Sequence, residues 1–437
     1  MIRPFFKPLF NTPINENVTL YKGSLSLPTS EGNIAGMGSI TYKWQPYASI
    51  VVEMAFDEKH SLERCERNSG KITVANVDLP FRLKSWSIYG CQRLLPFYQE
   101  GDTNAFCDKF RFEVPNLMTY AMAQEMGKEP TTNHHSLILS NKEYEFELQN
   151  SGQYGSYSPF DGGFILNGRG EIRFHKKKST FKECQPVFDM IACFLTFLHG
   201  RKLAPLFIEG YSDGSHQFKF FLSKTIDENA VPWNWFAINI NTVNNKFIQC
   251  IWESFVTFYK NEEEKECLTL IVHWYIEGMA ARGGIEASLV LIQNALELLC
   301  SRIIVEREHV VDHTDYDKMS TATLINILLS WTQVSNRIPE KCNALTTFAK
   351  ANNLFTGPSV LTYVRNAIVH PHSKNRKRYR SINNGIKNEA LELAIYYVEL
   401  VTLKYLGYNG SFYNRMWNGP EIERRMLVPW STQVVDN

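Results

Sequence analysis

The feature that most constrains this chain is a change of period. Up to about residue 260 its apolar residues come in period-two alternations and short apolar runs. Beyond the charged segment Asn261–Glu266 (NEEEKE) they recur every three to four positions. Period two belongs to strands and period 3.6 to helices, so the two parts must fold differently. The expectation is an α+β protein: a largely antiparallel, β-rich domain over residues 1–262, a helical bundle over 263–410 and a C-terminal arm over 411–437. With 437 residues, more than one hydrophobic core is expected.

In the first part, strands are expected at Ala48–Phe56, Lys71–Phe81, Lys109–Asn116, Glu143–Asn150, Glu171–His175, His216–Ser223 and Trp233–Ile240, punctuated by Gly, Asn, Asp and Pro. One helix interrupts them, with Val187, Ile191, Leu195 and Leu198 on one stripe and Gly200 as its stop. In the second part, helices are expected over about 268–281, 286–307, 321–334, 339–352 and 359–370, and over 387–406 before Gly407. Leu289, Ile292, Leu296, Leu299 and Ile303 form the apolar stripe of the second of these.

Lys and Arg total 46 against 45 Asp and Glu, so any nucleic-acid surface must be a local cluster. The nine cysteines stand singly with no C-x-x-C pair, which suggests neither zinc nor a redox motif, but reduced thiols. The amino-terminal MIRPFFKPLFNTPINENVTL offers no uninterrupted apolar run for a signal peptide, and Ile285–Val305 is interrupted by Glu, Gln, Asn and Arg. A cytoplasmic protein without membrane spans is expected.

The chemistry concentrates in VLTYVRNAIVHPHSKNRKRYR. It contains Arg365, Asn366, His370 and His372, then Lys374, Arg376, Lys377, Arg378 and Arg380. An Arg with a His five to seven positions on also occurs from Arg169, Arg302 and Arg307, so spacing alone selects nothing. The context of Arg365 differs: an adjacent Asn, an apolar spacer and a long helix downstream. This run resembles the motif of HEPN-family ribonucleases, and GPSVLTYVRNAIVHP with EASLVLIQNALELL is similar to the bacterial abortive-infection and ApeA-type defence branch. The resemblance covers about residues 268–407. It implies a helical nuclease domain with Arg365, Asn366 and His370 catalytic, no metal or other cofactor, RNA (transfer RNA among the candidates) as substrate, and two motifs joined across a homodimer.

On a regular helix Asn366 and His370 share a face, whereas Arg365 lies about 140° from His370 around the axis. Pro371 disfavours helical geometry at His370 and so allows the two to converge. Metal-free RNA cleavage needs a base, an acid and a cation at phosphorus; histidine suits the first two and arginine the third. His372, Lys374, Arg376, Lys377 and Arg378 are candidate RNA-binding residues, the bland alternative being a solvated loop. For His370 alone the bland reading is a helix-terminal histidine, and for Arg365 a structural pair with a helix carboxylate such as Glu297.

The remaining candidates rank lower. Asp312, His313, Asp315 and Asp317 look like helix caps rather than a metal site. His134–His135 would point apart on a strand, and Lys176–Lys178 reads as a turn. The Gly162–Gly163 and Gly168–x–Gly170 pairs lack a phosphate-loop context. The resulting expectation is a metal-independent endoribonuclease of bacterial defence, its β-rich part sensing or regulating through a phage-derived trigger or other partner. The rival is a HEPN scaffold that dimerises or binds nucleotides without catalysis. A third reading makes the β-rich part, binding a sugar or a phage protein, the main functional unit.

Overall fold

The computed structural model of the protein describes residues 6–29, 32–55, 69–74, 77–87, 90–117, 136–150, 162–230, 234–236, 245–280, 283–370 and 372–432. The chain divides into two units. The first comprises Met1–Leu195, Lys202–Val231 and Ile240–Val243; the second comprises Thr196–Arg201, Pro232–Asn239 and Asn244–Asn437. The first is built of antiparallel sheet and the second chiefly of helices, so the protein is α+β.

Six strands of the first unit close a barrel: β1 (Val18–Thr29), β2 (Gly32–Lys43), β3 (Ser49–Ala55), β4 (Ser69–Val74), β5 (Val77–Ser87) and β6 (Gly90–Leu95). They run in the order β1-β2-β3-β6-β5-β4, and Ser26 opposite Thr73 completes the circuit. Closure pairs the edges that an open sheet would expose. The expected single strand Lys71–Phe81 is instead the hairpin β4–β5, with Val74 opposite Val77. The long hairpin β1–β2 was not expected, because Gly and Ser interrupt its alternation.

Seven further strands form an open sheet: β7 (Phe97–Gly101), β8 (Lys109–Val114), β9 (Ser136–Ser140), β10 (Tyr144–Asn150), β11 (Gly168–Phe174), β12 (Leu206–Ser212) and β13 (Ser215–Leu222). Their order is β7-β13-β12-β8-β11-β10-β9, antiparallel throughout. Phe110, Phe112, Phe146 and Leu148 are buried on one face. Helix α1 (Phe181–His199) packs there, with the Phe188 ring 5.9 Å from Phe110 and 5.8 Å from Phe112. Gly170 is required in this layer, since a Cβ would sit 2.1 Å from the Phe112 ring. The opposite face is charged. Glu113 faces Arg169 across β8–β11, and the buried Glu171 carboxylate takes hydrogen bonds from Arg111 and Arg173. Residues near the amino terminus cross this face, with Phe6 N donating to Gln149 Oε1 (2.8 Å) and Leu9 N to Glu113 Oε1 (2.7 Å).

The second unit contains α2 (Asn245–Phe258), α3 (Glu262–Ala280), α4 (Gly284–Cys300), α5 (His313–Tyr316), α6 (Thr321–Thr332), α7 (Asn343–Ala351), α8 (Gly357–Val369), α9 (Ser373–Arg380) and α10 (Asn384–Tyr405). A short hairpin, β14 (Ser411–Tyr413) with β15 (Arg425–Leu427), follows. Ser320, Thr356 and Asn383 cap α6, α8 and α10, each side chain accepting an N–H from three residues on; such caps contribute about 0.5–2 kcal/mol apiece. Helix α4 continues through a π-helical turn, Ser301–Arg307. The whole stretch Gly284–Arg307 is long and apolar enough to cross a bilayer, yet its expected stripe is buried within the helical unit.

Helix α10 is the centre of the unit and packs against α3, α4, α6, α7 and α8. Its Ala394, Ile395, Tyr397, Val398, Val401 and Leu403 are at most 3% exposed. The expected homodimer would have those residues offer apolar surface to a partner subunit. They offer none, because neighbours in the same chain cover the helix all round. Three further corrections concern local structure. Helix α2 lies within the stretch expected to be β. Lys374–Arg380 is helical rather than a loop. Asp312 precedes α5 but makes no side-chain cap bond.

Candidate active site at the Arg365–His370 helix end

Helix α8 starts on its Thr356 cap with Pro358 in the first turn, and it buries Val360, Leu361, Val364 and Ala367 against the bundle. That stripe fixes the helix's rotation and leaves Arg365 and Asn366 half-buried at its border. The helix ends at Val369. His370 has φ −99° and ψ 109°, an extended conformation, and is exposed. Pro371 lies outside the described residues. His370 N still donates to Asn366 O (3.2 Å), so only the main chain ties these two together. The Asn366 amide turns elsewhere: its Oδ1 accepts from Arg365 Nη1 at 3.4 Å. The expected orientation of the imidazole by Asn366 is therefore replaced by an Arg365–Asn366 contact.

Like Arg169, Arg365 leaves one guanidinium donor unsatisfied. Its Nε is buried with no partner, and among the described residues it forms no ion pair. Glu297 instead accepts from Gln293 Nε2 at 2.8 Å. The other arginines with the same spacing to a histidine have these partners within the chain, Arg169 also keeping an unsatisfied Nε. Arg169 donates to Phe6 O (2.9 Å), Arg302 to Glu264 and Glu306 (both 2.7 Å), and Arg307 lies over the Tyr405 ring. A half-buried guanidinium without a carboxylate is costly unless an anion can reach it.

Helix α9 follows at once and is held by its inner side. The Arg378 guanidinium sits 4.6 Å from the centre of the Tyr363 ring on α8 and donates to Asn375 Oδ1. Tyr379 donates to Glu286 Oε1 (2.9 Å), which also receives Lys387 Nζ (2.6 Å). The Lys387 hydrogen bond is the main reason the Glu286 carboxyl is held down at about 2. His372, Lys374, Arg376 and Lys377 are exposed. Of the expected RNA-binding residues, Arg378 alone is turned into the packing. His134 and His135 lie outside the described residues, and among the described residues no cluster of His, Cys, Asp and Glu could hold a metal.

A second ionisable cluster, unremarked in the sequence, lies in the core of the helical unit. Arg415, after β14, donates through Nε and Nη2 to Glu399 of α10 (3.0 and 2.7 Å) and through Nη1 to Glu392 (2.8 Å). Tyr275 Oη (2.7 Å) and Trp235 N (3.1 Å) also donate to Glu399 and complete its shell of donors. The burial of the Tyr275 phenol, with Glu399 beside it, pushes its pKa well up. The ionisable groups of this cluster are paired with one another, and the pairs tie the chain after α10 to that helix.

The chain combines an antiparallel β unit with a helical unit, and each has a counterpart among known families. Residues 102–230 match the YopA central domain and residues 261–424 the YopA C-terminal domain. The chain is also similar to the SPbeta prophage-derived uncharacterized protein YopA of Bacillus subtilis (strain 168), 27% identical over 304 residues. That alignment covers 68% of this chain and 66% of the Bacillus protein, just under two thirds of the latter's length. No solved structure matches the chain.

Proposed function

We propose that the helical unit is a metal-independent endoribonuclease of the HEPN type, acting in bacterial antiphage or abortive-infection defence, with the β unit sensing or regulating. The observation that carries this reading is the Arg365 guanidinium, without an ion pair among the described residues and placed one turn before α8 ends at the exposed His370. A phosphodiester supplies the missing anion in bidentate geometry. His370 then removes the proton from a ribose 2′-hydroxyl. The 2′-oxygen attacks phosphorus, the P–O5′ bond breaks, and a protonated imidazole delivers a proton to the leaving 5′-oxygen. Arg365 stabilises the charge that builds on the phosphoryl oxygens. The exposed Lys374, Arg376 and Lys377 bind the flanking backbone.

Two proton transfers are served best by two histidines. A homodimer that brings two His370 side chains to one cleft provides them, and His372 of the same chain is the simpler source. The prophage derivation of the similar Bacillus protein supports a setting of conflict between phage and host.

The decisive experiment incubates the full chain with total RNA, including transfer RNA, in EDTA. Cleavage leaving a 2′,3′-cyclic phosphate and a 5′-hydroxyl, lost in Arg365→Ala and His370→Ala while circular dichroism is unchanged, supports the proposal. Folded wild-type protein that leaves RNA intact returns the unit to the scaffold reading. Heterodimers of wild type with His370→Ala separate the two sources of the second histidine: a composite site loses most activity, whereas a site within one chain keeps about half.

A further inference from the structure

The β unit contains a cavity of about 470 Å³ lined by Asn15, Asn17, Trp44, Gln45, Phe164 and Glu228, together with Gly163. That volume falls within the range of small-molecule sites, ~300–1,000 Å³. Its walls come from four separate stretches of chain, locked together by hydrogen bonds. Asn15 N donates to Phe164 O (2.9 Å), Phe164 N to Asn15 Oδ1 (2.6 Å), and Gln45 Nε2 to Glu228 Oε1 (3.0 Å). Gly163, at φ +81°, lets Asn15 approach, since a Cβ there would lie 2.0 Å from the Asn15 amide oxygen. Asn15 is itself left-handed at φ 64°. Residues held in such conformations cluster where a ligand must be met by a preformed wall.

The lining restricts the chemistry. Among the described residues it holds no Lys, Arg or His, so a phosphate or carboxylate ligand would meet the Glu228 carboxylate with no cation beside it. The Glu228 carboxylate already receives two donors, Gln45 Nε2 and, at 3.4 Å, Gly163 N. Its charge is therefore partly answered, and a cation is less favoured than a hydroxyl. Three carboxamides offer donor and acceptor side by side, as vicinal hydroxyls require. Trp44 and Phe164, stacked with ring centres 4.9 Å apart and planes 6° from parallel, supply the apolar part of the lining. Trp44 is anchored by its Nε1 donating to Glu16 O (2.9 Å).

We infer that this cavity is a binding site for a neutral sugar, taking one monosaccharide unit through the Asn15, Asn17, Gln45 and Glu228 side chains. The site is independent of the nuclease proposal and is tested without RNA. The full chain is titrated with glucose, galactose, N-acetylglucosamine and, as a cationic control, spermidine, read by saturation-transfer NMR and calorimetry. At least one sugar is expected to bind saturably, and Glu228→Ala and Asn17→Ala, both at exposed positions, should each weaken it about tenfold or more with unfolding unchanged. Absence of saturable sugar binding by folded protein overturns the inference. So does spermidine binding that competes at the same residues, and so does sugar binding indifferent to both substitutions.

Discussion

Replacing Arg415 by methionine should cost the helical unit about 3–5 kcal/mol, the usual penalty for removing one partner of a buried ion pair. Methionine keeps much of the apolar stem and removes the guanidinium. Glu399, 1% exposed, then loses two charge-assisted hydrogen bonds of about 1.5–3 kcal/mol each. Tyr275 and Trp235 continue to donate to it, which holds the loss within that range. The Glu392 contact adds little, because that carboxylate is 47% exposed and solvent screens it. For a unit of this size the penalty corresponds to a fall in Tm of roughly 6–20 °C. The assay is urea and thermal unfolding followed at 222 nm, where helix dominates the signal. Adding Glu399→Gln to Arg415→Met should recover part of the loss, since the amide still accepts from Tyr275 and Trp235 without a stranded charge. A loss below about 1 kcal/mol for Arg415→Met, or a double variant no better than the single one, would refute the reasoning.

Neutralising Lys374, Arg376 and Lys377 together should weaken RNA binding and reduce the slope of log K against log salt by about 2, leaving cleavage positions unchanged; an unchanged slope returns α9 to a solvated surface. Arg378→Ala should instead lower the helical unit's Tm through loss of its seat on Tyr363, with the salt slope nearly intact. Burial pushes the Glu113 carboxyl up to about 8, against an unfolded value near 4.5. A raised carboxyl pKa means stability that is full below the unfolded value and declines as pH rises from about 4.5 to 8. Glu113→Gln should therefore flatten the pH dependence of the β unit's Tm over that window, and a slope identical to wild type would exclude Glu113 as its source.

The sequence by itself determined what depends on neighbours along the chain. The start of α6 at Thr321 was placed correctly, whereas α8 and α10 begin two and three residues ahead of the expected 359 and 387, on the Thr356 and Asn383 caps; Gly407, at φ 69°, marked the end of α10. Alternation located β8, β10, β11 and β13 within a few residues. Helix α2 was not expected, although Ile248, Ile251, Trp252 and Phe255 keep helical spacing and are all buried. Of the expected strand Trp233–Ile240, only 234–236 are described, and they form a turn.

The barrel, the order of the open sheet and the burial of α10 were decided only by tertiary structure. Strand pairing joins residues far apart, such as Ser26 with Thr73, and no local pattern encodes that choice. The apolar residues around α10 state that something must cover them, but not whether a partner subunit or the same chain does so. The candidate site divides in the same way. The motif named Arg365 and His370 by type and spacing. That Arg365 is left without an ion pair among the described residues while Arg302 and Arg307 are engaged follows from which groups the fold brings within reach of each guanidinium.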